Sequence, residues 1–163
     1  LFLLCLTKIL FPLKIFYKIL LYEMNDVYNM NVDPCSYSSM FFAINVMVNY
    51  WYGYFIYSAL FAFLLTTSII HHSTKTFYTY VVDKIAIVCV VLYGGYLFYQ
   101  KNWTDNIILA SSIILTFLST IYLYYYGYTC DQYCFAPDKC ESDWYHGLMH
   151  LVASVGHLMI VFL

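Results

Sequence analysis

From Trp144 to Leu163 the chain is an almost unbroken apolar run, about the length a helix needs to cross a bilayer, and it opens on Trp-Tyr-His-Gly-Leu-Met-His. Within it His146 and His150 stand four residues apart, which on a helix puts both imidazoles on one face, a turn from each other. Ionisable side chains inside a membrane helix are costly and need a partner. A pair at this spacing points to a shared metal ion, with zinc first because it favours nitrogen ligands in tetrahedral sites. Two histidines make half of such a site, so the other ligands have to come from elsewhere in the chain.

The rest of the chain is equally apolar. Of its 163 residues 63% are hydrophobic and only 10% charged, with a mean hydropathy of +0.71, far from the composition of soluble domains. The fold class expected is all-α, a polytopic transmembrane helix bundle whose partner is the membrane and its lipids. A net charge of −2 with only seven Lys plus Arg leaves no basic surface for nucleic acid. Twenty Tyr and three Trp suit aromatic belts at the two interfaces. Residues 24–163 read as a single transmembrane helical domain. The first methionine is Met24, and residues 1–23 read as an N-terminal extension or an extra helix, although Lys8, Lys14, Lys18 and Pro12 weaken it as a span.

About five spans are expected, six if the N-terminal segment is native: residues 37–50, 55–72, 77–99, 107–126 and 144–163. Tyr50-Trp51-Tyr52-Gly53-Tyr54 reads as the interfacial turn between the first two. A single long tilted helix is the alternative there. Residues 127–143 read as a loop with three cysteines and five charged residues. Because consecutive spans alternate in direction, the end of the second, with His71 and His72, and the start of the last, with His146 and His150, meet at the same membrane face. Rise per residue then puts Ser68 about 6 Å below His72 and Asp83 roughly 9 Å into the following helix. Ser68-x3-His72, Asp83 and His146-x3-His150 fall into one shallow layer.

Charge gives that face a direction. Its segments hold Asp33, Asp131, Asp138, Glu141 and Asp143 against Lys75 and Lys139, whereas Lys101 lies opposite, so the site is expected on the luminal or extracellular side. Cys35, Cys130, Cys134 and Cys140 map to the same face and suit one or two disulfides in an oxidising compartment.

Three histidines, His72, His146 and His150, leave a tetrahedral zinc one open position, the arrangement of a catalytic site whose water has a pKa near 7. Asp83 is the candidate general base and Ser68 the candidate hydrogen-bond donor to the water or the developing oxyanion. In a membrane such a site suits a lipid amide or ester. Plainer readings stand beside this one. His71 and His157 read as packed or interfacial residues. Asp83 has Lys84 next to it, but adjacent helical residues point about 100° apart, so Lys84 is expected to snorkel to the interface instead. Ser68 has its own i−4 carbonyl within reach. The three loop cysteines are an alternative zinc site and the acidic loop residues an alternative calcium site. A bis-histidine haem on His72 and His150 would leave Ser68 and Asp83 without a role.

This set of residues resembles the signature of the CREST superfamily of intramembrane hydrolases and receptors, which includes alkaline ceramidases, adiponectin and progestin receptors, hemolysin III proteins and myomaker-like proteins. The resemblance runs from about Ser38 onward, and Trp144 looks like the aromatic start of the family's last helix. It implies zinc held by His72, His146 and His150, with Ser68 and Asp83 beside its water, and in the ceramidase branch hydrolysis of a sphingolipid amide. It also implies seven spans, with four between Asp83 and the histidine pair where this chain has two. The calcium-binding N-terminal segment of the ceramidase branch has no counterpart in residues 22–39. A receptor-like or fusion-related protein with a structural zinc is the alternative function.

Overall fold

Gly53 ends the first apolar stretch. It adopts φ 81°, a backbone conformation open to glycine and strained for other residues, and the chain turns there between helix α1 (Phe41–Trp51) and helix α2 (Phe55–Thr74). The interfacial turn expected at this point is present, and the single long helix is not. The structure, a computed structural model, describes residues 37–163; residues 1–23, the acidic stretch around Asp33 and Cys35 lie outside the described residues.

Three more long helices follow: α3 (Phe77–Gln100), α4 (Ile107–Ile121) and α5 (Lys139–Phe162). The described residues are helical without strands, and four helical segments are long and apolar enough to cross a membrane. Helix α1, at 11 residues, rises only about 16 Å and falls short of a bilayer's hydrocarbon core by itself.

Local chemistry sets the helix ends. α2 closes with Lys75 in the left-handed region at φ 49°, and α3 opens at once on a capping box in which Thr76 and Thr79 each bond the other's backbone N–H. This two-residue connection folds α2 and α3 into a tight hairpin, with His72 just before the turn and Asp83 two turns after it. α4 continues through a π-helical turn, Tyr122–Tyr126, into Gly127–Cys130. α5 begins at Lys139, five residues before the start expected from its apolar run. Its N-cap is Asp138, whose carboxylate accepts from the Glu141 N–H at 3.0 Å. The segment read as a loop is thus largely helical, with a short 3-10 turn, Tyr133–Phe135, tied to α5 by the Ser142 hydroxyl donating to the Cys134 carbonyl at 2.7 Å.

The expected disulfides are corrected in part. Cys130, Cys134 and Cys140 all carry free thiols. Cys134 is buried while the other two are exposed. Sharing a membrane face did not bring them together.

The core lies between α1, α2 and α3, around Phe42, Tyr57, Phe61, Leu64, Ala86 and Val90. α1 also packs on α5, and α4 on α5. Polar side chains stitch the bundle: Asn45 donates to the Ser154 hydroxyl at 2.6 Å, and Ser154 donates to the Phe41 carbonyl at 3.1 Å. Helices α3 and α4, although consecutive, have little contact with each other. Between them sits a cavity of about 530 Å³.

At Gly94 of α3 the packing tolerates no side chain. A Cβ there would lie 2.5 Å from the Tyr57 oxygen and 2.9 Å from Nδ1 of His157. Gly94→Ala is expected to destabilise the bundle by about 1–3 kcal/mol, readable as a lower unfolding midpoint in micelles. An unchanged midpoint would show that α2, α3 and α5 are not so closely packed.

Candidate metal centre

His72 comes from the last turn of α2, and His146 and His150 from the second and third turns of α5. One ligand nitrogen from each lies within 4.8 Å of the other two. The ring centroids are 5.2 Å apart for His72 and His146, 5.8 Å for His72 and His150, and 4.7 Å for His146 and His150. His150 is buried and the other two half-buried. The convergence expected from alternating spans is therefore present in three dimensions.

The donor set fits a zinc ion. Bonds of about 2.0–2.1 Å put tetrahedral ligand atoms roughly 3.4 Å apart, so modest side-chain rotations close this cluster on one ion. His150 is also held from behind: its Nδ1 lies 2.9 Å from the Ser38 hydroxyl. When Nδ1–H donates to Ser38, Nε2 is left with its lone pair for a metal, the usual role of a hydrogen-bond partner behind a ligating histidine. Ser38 stands 112 residues from His150 in the chain, and no spacing rule pairs them. If the cluster holds a metal as its geometry allows, Ser38→Ala is expected to weaken that binding about 10–100-fold, measured by competition for zinc against a chelating dye. Unchanged affinity would remove Ser38 from the site.

Asp83 is buried, at 3% exposure, and it does pair with Lys84, at 3.2 Å between Nζ and Oδ2. This corrects the expectation that Lys84 would leave it. The two Cα–Cβ bonds do diverge, but the long lysine stem curls back over the Tyr80 ring, 5.0 Å from its centroid, and brings the ammonium to the carboxylate. The other carboxylate oxygen, Oδ1, has no hydrogen-bond partner among the described residues. Ser68 is buried, and its hydroxyl lies 2.8 Å from that of Ser39 rather than on its own i−4 carbonyl.

Ser68, Asp83, Lys84, His146 and His150 all line the cavity between α3 and α4. Most of its remaining wall is apolar, with Phe61, Leu64, Val90, Ile113 and Ile160 among the contributors. The chain matches no family model, no curated protein and no solved structure.

Of the histidines read as bystanders, His71 packs against Tyr80 at 5.6 Å between ring centroids. His157 is buried on α5, with Nδ1 2.5 Å from the Tyr57 hydroxyl. It also lines the cavity, as its position seven residues beyond His150 on the same helical face allows.

Proposed function

We propose that the protein is a zinc-dependent hydrolase of membrane lipids, cleaving an amide bond as a shortened relative of the CREST superfamily, with its site on the luminal or extracellular face. The observation that carries this reading is a single cavity in which Ser68, Asp83, His146 and His150 form a polar end while most of the remaining wall is apolar. A lipid fits such a cavity with its scissile group beside the histidines and a hydrocarbon chain in the remainder. The sparse contact between α3 and α4 is where such a chain would enter from the bilayer.

A zinc ion on the three imidazoles would supply Lewis acidity and an activated water at neutral pH. The protein's own groups do the rest. Asp83 accepts a proton from the attacking water through its open Oδ1, while Lys84 holds Oδ2 in place. The same carboxyl returns that proton to the departing nitrogen, so one amide and one water become a carboxylic acid and an amine. With Ser39 as the donor of the 2.8 Å pair, the Ser68 O–H would be left to turn to the oxyanion that develops on the carbonyl. Closing the apolar wall around the chain keeps bulk water from competing for these donors.

The test is elemental analysis of the purified chain together with fatty-acid release from a ceramide-class amide. Stoichiometric zinc and a chelator-sensitive release restored by zinc are expected. Protein that stays zinc-free when zinc is supplied, or that releases nothing when loaded, would end the proposal. One observation favours a second reading, a receptor-like or fusion-related protein with a structural zinc: Asp83 and Ser68 both already have protein partners, as they would in a site that only braces helices.

A further inference from the structure

The cavity has a second polar point. His157 lies seven residues beyond His150 on α5, about 10 Å further along the helix, and contributes to the same wall. It is 7% exposed, and Nδ1 is its only ring nitrogen with a hydrogen-bond partner among the described residues. That partner, the Tyr57 hydroxyl, is fully buried and bonds nothing else there. A buried phenol that only accepted would leave its O–H unspent, at a cost comparable to a lost hydrogen bond. Tyr57 therefore donates to Nδ1, which fixes the proton of the imidazole on Nε2. An N–H donor with no protein acceptor is thus set in a mostly apolar cavity wall. Gly94 keeps the pair in place by leaving room for both side chains.

We infer that Tyr57 and His157 form a recognition point for an oxygen carried on the hydrocarbon chain of the bound lipid, so that the substrates are chains bearing a mid-chain hydroxyl or carbonyl. A plain hydrocarbon in this position strands the Nε2–H, whereas a chain oxygen accepts from it. The separation from His150 sets the register: the oxygen lies about 10 Å from the group held at the histidine cluster. This inference rests on the lipid-binding reading of the cavity, but not on metal or turnover.

The experiment measures binding alone. The full chain in nanodiscs is titrated with stearate and with a series of hydroxystearates whose hydroxyl is moved along the chain. The expected result is a preference of about three- to tenfold for hydroxyls near mid-chain over stearate, absent when the hydroxyl is close to the carboxylate. His157→Leu should remove the preference while stearate still binds. Should that variant fail to fold, Tyr57→Phe serves instead, since it deletes one oxygen, frees the imidazole tautomer and should lower the preference. Equal affinities across the series in the unaltered protein, or a preference that survives in both variants, would overturn the inference. His146→Ala separates it from the metal reading: loss of zinc with the mid-chain preference intact leaves this inference standing, and binding of no fatty acid by the unaltered protein sinks it.

Discussion

If the three histidines hold zinc as proposed, His146→Ala is expected to yield a folded protein without stoichiometric zinc and without the proposed lipid amidase activity. His146 is half-buried at the face of α5 next to His72 and one turn from His150, so truncating it removes a ligand while the core around Phe42, Tyr57 and Phe61 is untouched. Groups that merely support a ligand are worth about 10–100-fold in metal affinity, and loss of a ligand should exceed that. Two imidazoles from different helices cannot enclose a tetrahedral ion. The measurement is zinc per chain after dialysis against a weak chelator, with circular dichroism as the check on folding. A folded variant that keeps its zinc would show that the three nitrogens do not hold the ion together.

The architecture was legible because a bilayer asks simple questions of a sequence. Long apolar runs such as Phe77–Gln100 have to be helices, since no other open structure satisfies its backbone in lipid, and the alternation of spans then forces His72 and His146 to one face without any knowledge of packing. Boundaries were less legible where polar residues belong to helices. The start of α5 was placed at Trp144 because the residues before it are charged, yet Asp138 and Glu141 have the spacing of a helix cap, which was the signal available. The π-helical turn at Tyr122–Tyr126 has no comparable signature: four tyrosines in five residues read equally well as an α-helix or as an interfacial belt.

Side-chain partners were legible only where they follow from backbone direction. Alternation of spans says which residues share a depth, so it found the histidines, Asp83 and Ser68. It says nothing about rotation around each helix, so it could not find Ser38 behind His150 or Tyr57 against His157, which are 112 and 100 residues apart in the chain. The same blindness produced the disulfides that Cys130, Cys134 and Cys140 do not make. Lys84 is a different failure. The angle between neighbouring Cβ atoms was given more weight than the reach of a four-carbon stem, which spans that angle with ease.

That pair decides how Asp83 is to be tested. Asp83→Asn keeps the shape of the side chain and removes its charge and its affinity for a proton. Lys84 then loses its partner, but at 31% exposure it has water to turn to, and the neutral amide leaves no charge stranded in the buried position of Asp83. Zinc content and unfolding midpoint should accordingly stay close to those of the unaltered protein, while turnover falls about 100- to 10,000-fold, the usual worth of a general base. Lys84→Met supplies the control, because it breaks the same ion pair and leaves the carboxylate. Because Lys84 also holds Oδ2 of the buried carboxylate, Lys84→Met is expected to lower turnover as well, but by less than Asp83→Asn if Asp83 moves protons, and by as much if the ion pair matters only for structure. Turnover unaffected by Asp83→Asn in zinc-loaded protein would mean that the carboxylate only braces α3, and the site would then be read as structural.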